Sequence, residues 1–337
     1  MTIAELIESE FEDLERFLGT FNFNIQTVQA DIFEDLLKLI SQLPQKDGQF
    51  VYDTDIKKLL IRFENRIIEK LESGQYNKDV NKILLNFENL ESVRMKIAEY
   101  INPKDRLKIF KANTSNIRKG YIDLISESLG SKEALGVNYT QPIKSILFEH
   151  AALGLSVADA TKKLFNVAMS KEPGGGLLGR YAGQVARDSL FGFTGAVDQA
   201  IGDHIGAKNV NYLGNVIEDS RPQCIRWVVK FKGYIPADKL KSEVTWANTY
   251  GKGYSEYIPK LTVNNFAIVR GGHNCRHRVS YSSDIVPREK IEAIEDRYRI
   301  ESENYQKGLE KKLTGKTLEL YEKAKAKVDR QIELYGK

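Results

Sequence analysis

Apolar residues recur at three- and four-residue steps through the first half of the chain, in "FEDLLKLISQL" (33–43), "IKKLLIRFENRIIEKLE" (56–72), "VNKILLNFENLESVRMKIAEYI" (80–101) and "IRKGYIDLISESL" (117–129). Charged residues fill the opposite faces, the pattern of amphipathic helices. Between these runs, "LPQKDGQ", "INPKD" and "GVNYTQP" supply the Pro, Gly, Asn and Asp that end helices and open turns. The pattern predicts stacked helices over residues 1–172, with no fixed period that would make them a solenoid. Phe63, Phe87, Tyr100 and Phe110 fall within the stripes and read as core packing.

At "KEPGGGLLGRYAGQVARDSLFGFTGAVDQAIGDHIGA" (171–207) the texture changes to a Gly-rich turn followed by helix rich in small residues. Gly-rich turns before helices can cradle phosphate, because helix N-terminal amides point outward. This one lacks the Lys-Ser/Thr of a P-loop, so a domain boundary or flexible turn is the expected role. "LTGKT" near the C-terminus is no P-loop either, since position 310 is Glu where the motif needs Gly. Next, "VNYLGNVI" (210–217), "NNFAIVR" and "HRVSYS" (277–282) predict short strands, while "CIRWVVKFKGY" (224–234) fits strand or helix. A small α+β domain over 173–285 follows, with "TWANTYGKGYSEYIPKL" as an irregular insert. Beyond Pro287 one narrow apolar stripe, from Ile291 through Tyr298, Leu309 and Ala324 to Tyr335, predicts a long charged helix over 286–337, divisible at Gly308 and Gly315. Such a helix must pack back on the body or against another chain, so self-association through it is one expectation. The fold class expected is α+β and predominantly α-helical: a helical N-terminal half, a small α+β domain and a long C-terminal helix.

Of 337 residues, 42% are hydrophobic and 28% charged, the balance of an ordinary globular protein. The 50 basic and 46 acidic residues leave a net charge of +4, so bulk charge gives no support to nucleic-acid binding. The acidic, amphipathic opening "MTIAELIESEFEDLERFLG" predicts no signal peptide, and charges interrupt the most apolar window, 143–169, so no membrane partner is expected.

The candidate chemistry gathers around the two cysteines, Cys224 and Cys275. In "GGHNCRHRVSY" (271–281), an extended backbone would put His273, Cys275 and His277 on one face and Asn274 and Arg276 on the other. With Cys224 these form a two-thiolate, two-imidazole set of zinc-site type, although alternate residues of one strand converge poorly on one ion and no paired-Cys knuckle is present. A close thiol pair, reduced or oxidised, and plain packing are the alternatives. A nuclease of the HNH kind would spread its histidines over two strands and a helix, and a Cys–His nucleophile would need a third group and an oxyanion site. Arg221, Arg226, Arg270, Arg276 and Arg278 offer phosphate contacts or internal braces to carboxylates such as Glu218 and Asp219.

"YLGNVIEDSRPQC" (212–224), followed some fifty residues later by "GGHNCRHRVSY", resembles the paired elements of the phage Mu F-like head morphogenesis, or minor capsid, proteins of tailed bacteriophages. The likeness extends over about 177–282. It implies that Asp219, Ser220, Arg221 and Cys224 of the first element and Gly272, Asn274, Cys275, Arg276, His277 and Arg278 of the second form a structural motif, with no catalytic residue and no required cofactor. Relatives often carry an aromatic where this chain has His273. The resemblance further implies a head-assembly role with the portal or major capsid protein, and packaged DNA nearby. The chain is then expected in the virion head, and in the bacterial cytoplasm during assembly. Two alternatives from other classes are a metal-dependent nuclease or hydrolase working through His273, Cys275 and His277, and an internal DNA-contacting protein.

Overall fold

The computed structural model describes residues 2–112, 114–171, 174–216, 220–251, 260–272, 275, 277–309 and 314–335. The chain is α+β and predominantly helical. Its helices are α1 (Ile3–Phe11), α2 (Phe17–Gln42), α3 (Ile56–Ser73), α4 (Gln75–Ile101), α5 (Arg106–Lys111), α6 (Ser115–Gly130), α7 (Lys132–Leu135), α8 (Gln141–Ala152), α9 (Val157–Ala168), α10 (Gly176–Ile205), α11 (Pro222–Ile225), α12 (Ala237–Trp246), α13 (Phe266–Val269), α14 (Arg288–Leu309) and α15 (Gly315–Tyr335). A short hairpin of two two-residue strands, β1 (Gln45–Lys46) and β2 (Gln49–Phe50), precedes a three-stranded antiparallel sheet of β3 (Asn209–Leu213), β4 (Tyr234–Pro236) and β5 (Arg278–Ser282), in the order β4-β3-β5. No helix among the described residues is long and apolar enough to cross a membrane. The residues sort into two units: Met1–Phe17, Leu84–Asp123 and Arg187–Gln306 in one, Leu18–Ile83, Leu124–Ala186 and Lys307–Lys337 in the other.

The first unit is built around the sheet. Every residue of β3 and β5 is buried, so both faces need partners. Alternation divides them. Val210 and Tyr212 pair across the strands with Tyr281 and Val279, and these four join Trp227, Leu240, Phe266 and both cysteines in one apolar cluster. Leu213, the next position along, belongs instead to a cluster with Leu6 and Ile7 of α1, Ile97 of α4 and Ile294 of α14. The sequence predicted β3 and β5 but not β4. "NNFAIVR" is not a strand: Thr262 and Asn265 form a capping box that starts a helical turn continuing into α13. "CIRWVVKF" takes its helical alternative, with Pro222 at the first position of α11.

The small residues of α10 have a packing reason. A methyl group on Gly195 would lie 2.1 Å from the Ala267 carbonyl oxygen of α13, and one on Gly202 would lie 2.4 Å from the Tyr281 ring of β5. Gly195→Ala gains about 1 kcal/mol of helix propensity, but overpacking against a backbone atom costs about 1–3 kcal/mol. A net loss of stability is expected in urea unfolding, and a gain would show that the contact yields. Phe87 and Phe193 pack edge to face at 4.8 Å in the same unit, as core aromatics should. Phe110 departs from its expected core position. It is 55% exposed, with the Arg106 guanidinium over its ring, because α5 is a short surface helix.

In the second unit, the Gly-rich turn is tied to α2. The side-chain amides of Gln26 and Gln29 donate to the Gly175 carbonyl at 2.9 and 3.0 Å, while Gln29 Oε1 accepts from Leu178 N at 2.8 Å and Gly179 N at 3.2 Å. Glutamine thus takes the amides at the start of α10 that a phosphate would need. The C-terminal stripe proves to be two helices, α14 and α15, consistent with breaks near Gly308 and Gly315. Helix α15 covers its seam on α9: Tyr321 packs 5.0 Å from Phe165, and Ala324 and Val328 are buried.

Candidate functional site

Two turns bring the cysteines together in the first unit. Proline-initiated α11 carries Cys224 inward, next to Gln223, whose side-chain amide reaches the Gly271 carbonyl at 3.4 Å. On the other side, α13 ends at Arg270 with φ 47°, a backbone conformation costly for a side-chain-bearing residue. The turn closes through Gly272 N to Val269 O at 2.6 Å and Cys275 N to Gly272 O at 3.1 Å. Gly271 lies against both thiols: a Cβ there would meet Cys224 Sγ at 2.4 Å and Cys275 Sγ at 2.9 Å. Absence of a side chain at this position is what lets the two half-motifs close.

Tyr212 of β3 completes the cluster. Its hydroxyl lies 3.3 Å from Cys224 Sγ and 3.5 Å from Cys275 Sγ, and its ring stacks on His277 at 4.8 Å. Cys275 Sγ is 3.6 Å from His277 Nδ1. The ligand atoms of Cys224, Cys275 and His277 all lie within 4.8 Å of one another, and the three residues are 2%, 7% and 6% exposed. Trp227 and Phe266 wall the group, Trp227 meeting Tyr212 edge-on at 5.0 Å. His277 Nε2 is buried with no hydrogen-bond partner among the described residues.

The thiols differ in acidity. A hydrogen bond from Cys224 is the largest influence holding Cys275 well below the usual thiol range, and His277 and Arg270 reinforce it against burial. Cys224, which keeps the shared proton, is pushed up by that same bond and by burial. Burial drives the Tyr212 phenol up as well. The arrangement suits one thiolate facing one thiol, held by a phenol and an imidazole.

Other motif residues have different work. Arg278 does not point at the thiols. It pairs with Glu10 at 3.3 Å and Glu15 at 3.7 Å and lies 4.2 Å over the Phe191 ring. Arg270 donates to the Phe191 carbonyl at 2.9 Å, and Arg226 pairs with Glu243 at 2.5 Å. Ser220 and Arg221 lead into α11, and the charge of Arg221 favours ionisation of Cys224. Gly272 forms the turn at φ 90°. Asp219, His273, Asn274 and Arg276 lie outside the described residues, as do Glu218 and the ligand role expected of His273.

Sequence reasoning missed the polar hub beneath Arg278. Arg94 of α4, wholly buried, donates to Asp198 at 3.0 and 2.6 Å, to Glu10 at 3.1 Å, to Tyr298 at 3.2 Å and to the Val279 carbonyl at 2.8 Å. Tyr298 also donates to Glu10. Burial works against both charges of each pair. Arg94 and Arg278 outweigh it at Glu10, which is held below the usual carboxylate range, whereas Asp198 shares Arg94 and is pushed up to about 7. Asp198 therefore retains in the folded chain, between its ordinary 3.8 and about 7, a proton that the unfolded chain has lost. Its contribution makes stability fall as pH rises across that window and level off above it. Glu10 acts oppositely, its contribution being lost only as pH falls through its lowered value. Urea unfolding from pH 4 to 7.5 is expected to show a shallower decline in Asp198→Asn than in the native chain, and equal slopes would contradict this assignment.

No protein-family model, no curated protein and no solved structure matches this chain.

Proposed function

We propose that this chain is a minor head protein of a tailed bacteriophage, acting in head morphogenesis with the portal or major capsid protein, and that its paired cysteine elements hold the first unit's fold rather than catalyse a reaction. One observation carries the reading. The two elements that resemble the Mu F-like motif meet side by side, with Cys224, Cys275 and His277 sealed under Trp227 and Phe266 and Arg278 committed to Glu10 and Glu15. A hydrolase must admit both substrate and water to its reacting groups, whereas residues spent on packing and internal ion pairs suit a scaffold.

The net charge of +4 gives little reason to place DNA contact ahead of protein contact. The test is co-expression of the tagged chain with the portal and major capsid proteins of the same phage. The reading expects portal or capsid protein to co-elute after a high-salt wash. A chain that elutes alone and cleaves DNA when divalent ions are added would replace it with the nuclease reading.

A further inference from the structure

We infer that Cys224 Sγ, Cys275 Sγ, His277 Nδ1 and Tyr212 Oη form a closed, structural zinc site in the first unit. The inference stands apart from the head-assembly reading, since a structural ion would serve this fold in any role.

The spacing of the donors is the first support. Zinc binds thiolate sulfur at about 2.3 Å and nitrogen or oxygen at about 2.0–2.1 Å, so in a tetrahedral site a sulfur and a nitrogen or oxygen donor stand about 3.5 Å apart. Three such edges are present: Cys275 Sγ to His277 Nδ1 at 3.6 Å, Tyr212 Oη to Cys275 Sγ at 3.5 Å and Tyr212 Oη to Cys224 Sγ at 3.3 Å. The same lengths serve as hydrogen bonds in the metal-free chain, so what sets the cluster apart from a packed thiol pair is the convergence of two sulfurs and an imidazole nitrogen within 4.8 Å of one another, with the phenol against both sulfurs.

The surroundings are the second. Two sulfurs and an imidazole select zinc over calcium or magnesium, which take oxygen ligands. Two thiolates balance the ion's charge, the one proton that Cys224 still holds passing to solvent as the ion binds. Gly271 permits the approach of both sulfurs, and no donor is more than 7% exposed, which marks a closed set rather than a catalytic site with an open position. Tyr212 is the least usual member. Its place is fixed by the sheet, where it pairs with Val279, two residues beyond His277, so the register of β3 sets the phenol against the segment that leads into β5.

The test uses the full chain purified under reducing conditions. Elemental analysis is expected to find one zinc per chain. After chelation and refilling with cobalt(II), thiolate-to-cobalt charge-transfer bands and the intense visible bands of a tetrahedral ion are expected. Tyr212→Phe should keep the thiolate bands but shift the visible ones and weaken affinity about tenfold or more. Cys275→Ser and His277→Ala should lose the stoichiometric ion, while His204→Ala, an exposed histidine on α10, should keep it. A chain folded by circular dichroism that takes up neither metal would overturn the inference. So would metal retained equally by Cys275→Ser and His277→Ala, or an intact mass showing a Cys224–Cys275 disulfide.

Discussion

Arg94→Met is expected to destabilise the chain by about 3–5 kcal/mol, the cost of breaking a buried ion pair by removing one partner. Arg94 is wholly buried and serves two carboxylates, Glu10 and Asp198, as well as the Val279 carbonyl of β5. Methionine fills much of the volume but leaves both acids without that cation and a strand carbonyl without its donor. A loss of this size is a large share of the 5–15 kcal/mol that a domain has in total. Adding Glu10→Gln and Asp198→Asn to Arg94→Met should recover part of the loss, since they remove the two buried carboxyl groups that Arg94 no longer satisfies. Urea unfolding followed by near-ultraviolet circular dichroism measures both. A single-variant loss below about 1 kcal/mol would mean that water reaches the hub.

Trp227→Ala should cost a similar amount, about 3–5 kcal/mol, for a different reason. Trp227 is fully buried and packs 5.0 Å from Tyr212 and 4.8 Å from Phe266. Its removal opens a cavity beside the phenol that faces both thiols, so the cluster should loosen along with the core. Two readouts are expected to move together: a lower thermal midpoint, and faster labelling of Cys224 and Cys275 by a thiol reagent under native conditions. Unchanged labelling with lowered stability would separate the cluster from the core that surrounds it.

Much of the architecture was legible because its causes are local. The helices of the N-terminal half follow the 3.6-residue recurrence of Leu, Ile and Phe, and β3 and β5 follow runs of Val, Tyr and Leu bounded by Gly and Asp. Strand β4 was not legible, since "YIP" is three residues long and owes its existence to pairing with β3. The apolar run of α13 looked like a strand, and only the Thr262–Asn265 capping box marks its start as helical.

The site divides the same way. Alternation placed Cys275 and His277 on one side, and the two meet, yet both residues precede the strand. What joins them is the turn at Arg270 and Gly272, whose positive φ angles a sequence with Arg in that position does not announce. Tyr212 could have been found as the residue on the same strand face as Val210, but nothing local links it to a cysteine 63 positions away. Arg94 was the least legible. A lone arginine on a long amphipathic helix reads as a solvated charge, and its burial depends on Glu10 and Asp198 arriving from distant segments.

The proposal that this chain is a component of a phage head is tested most directly by mass spectrometry of gradient-purified, DNA-filled particles released by a strain that carries its gene. The account predicts that its peptides co-sediment with the portal and major capsid proteins, and resist added protease until the heads are opened. Peptides confined to the non-particulate fraction, with full heads lacking them, would contradict it.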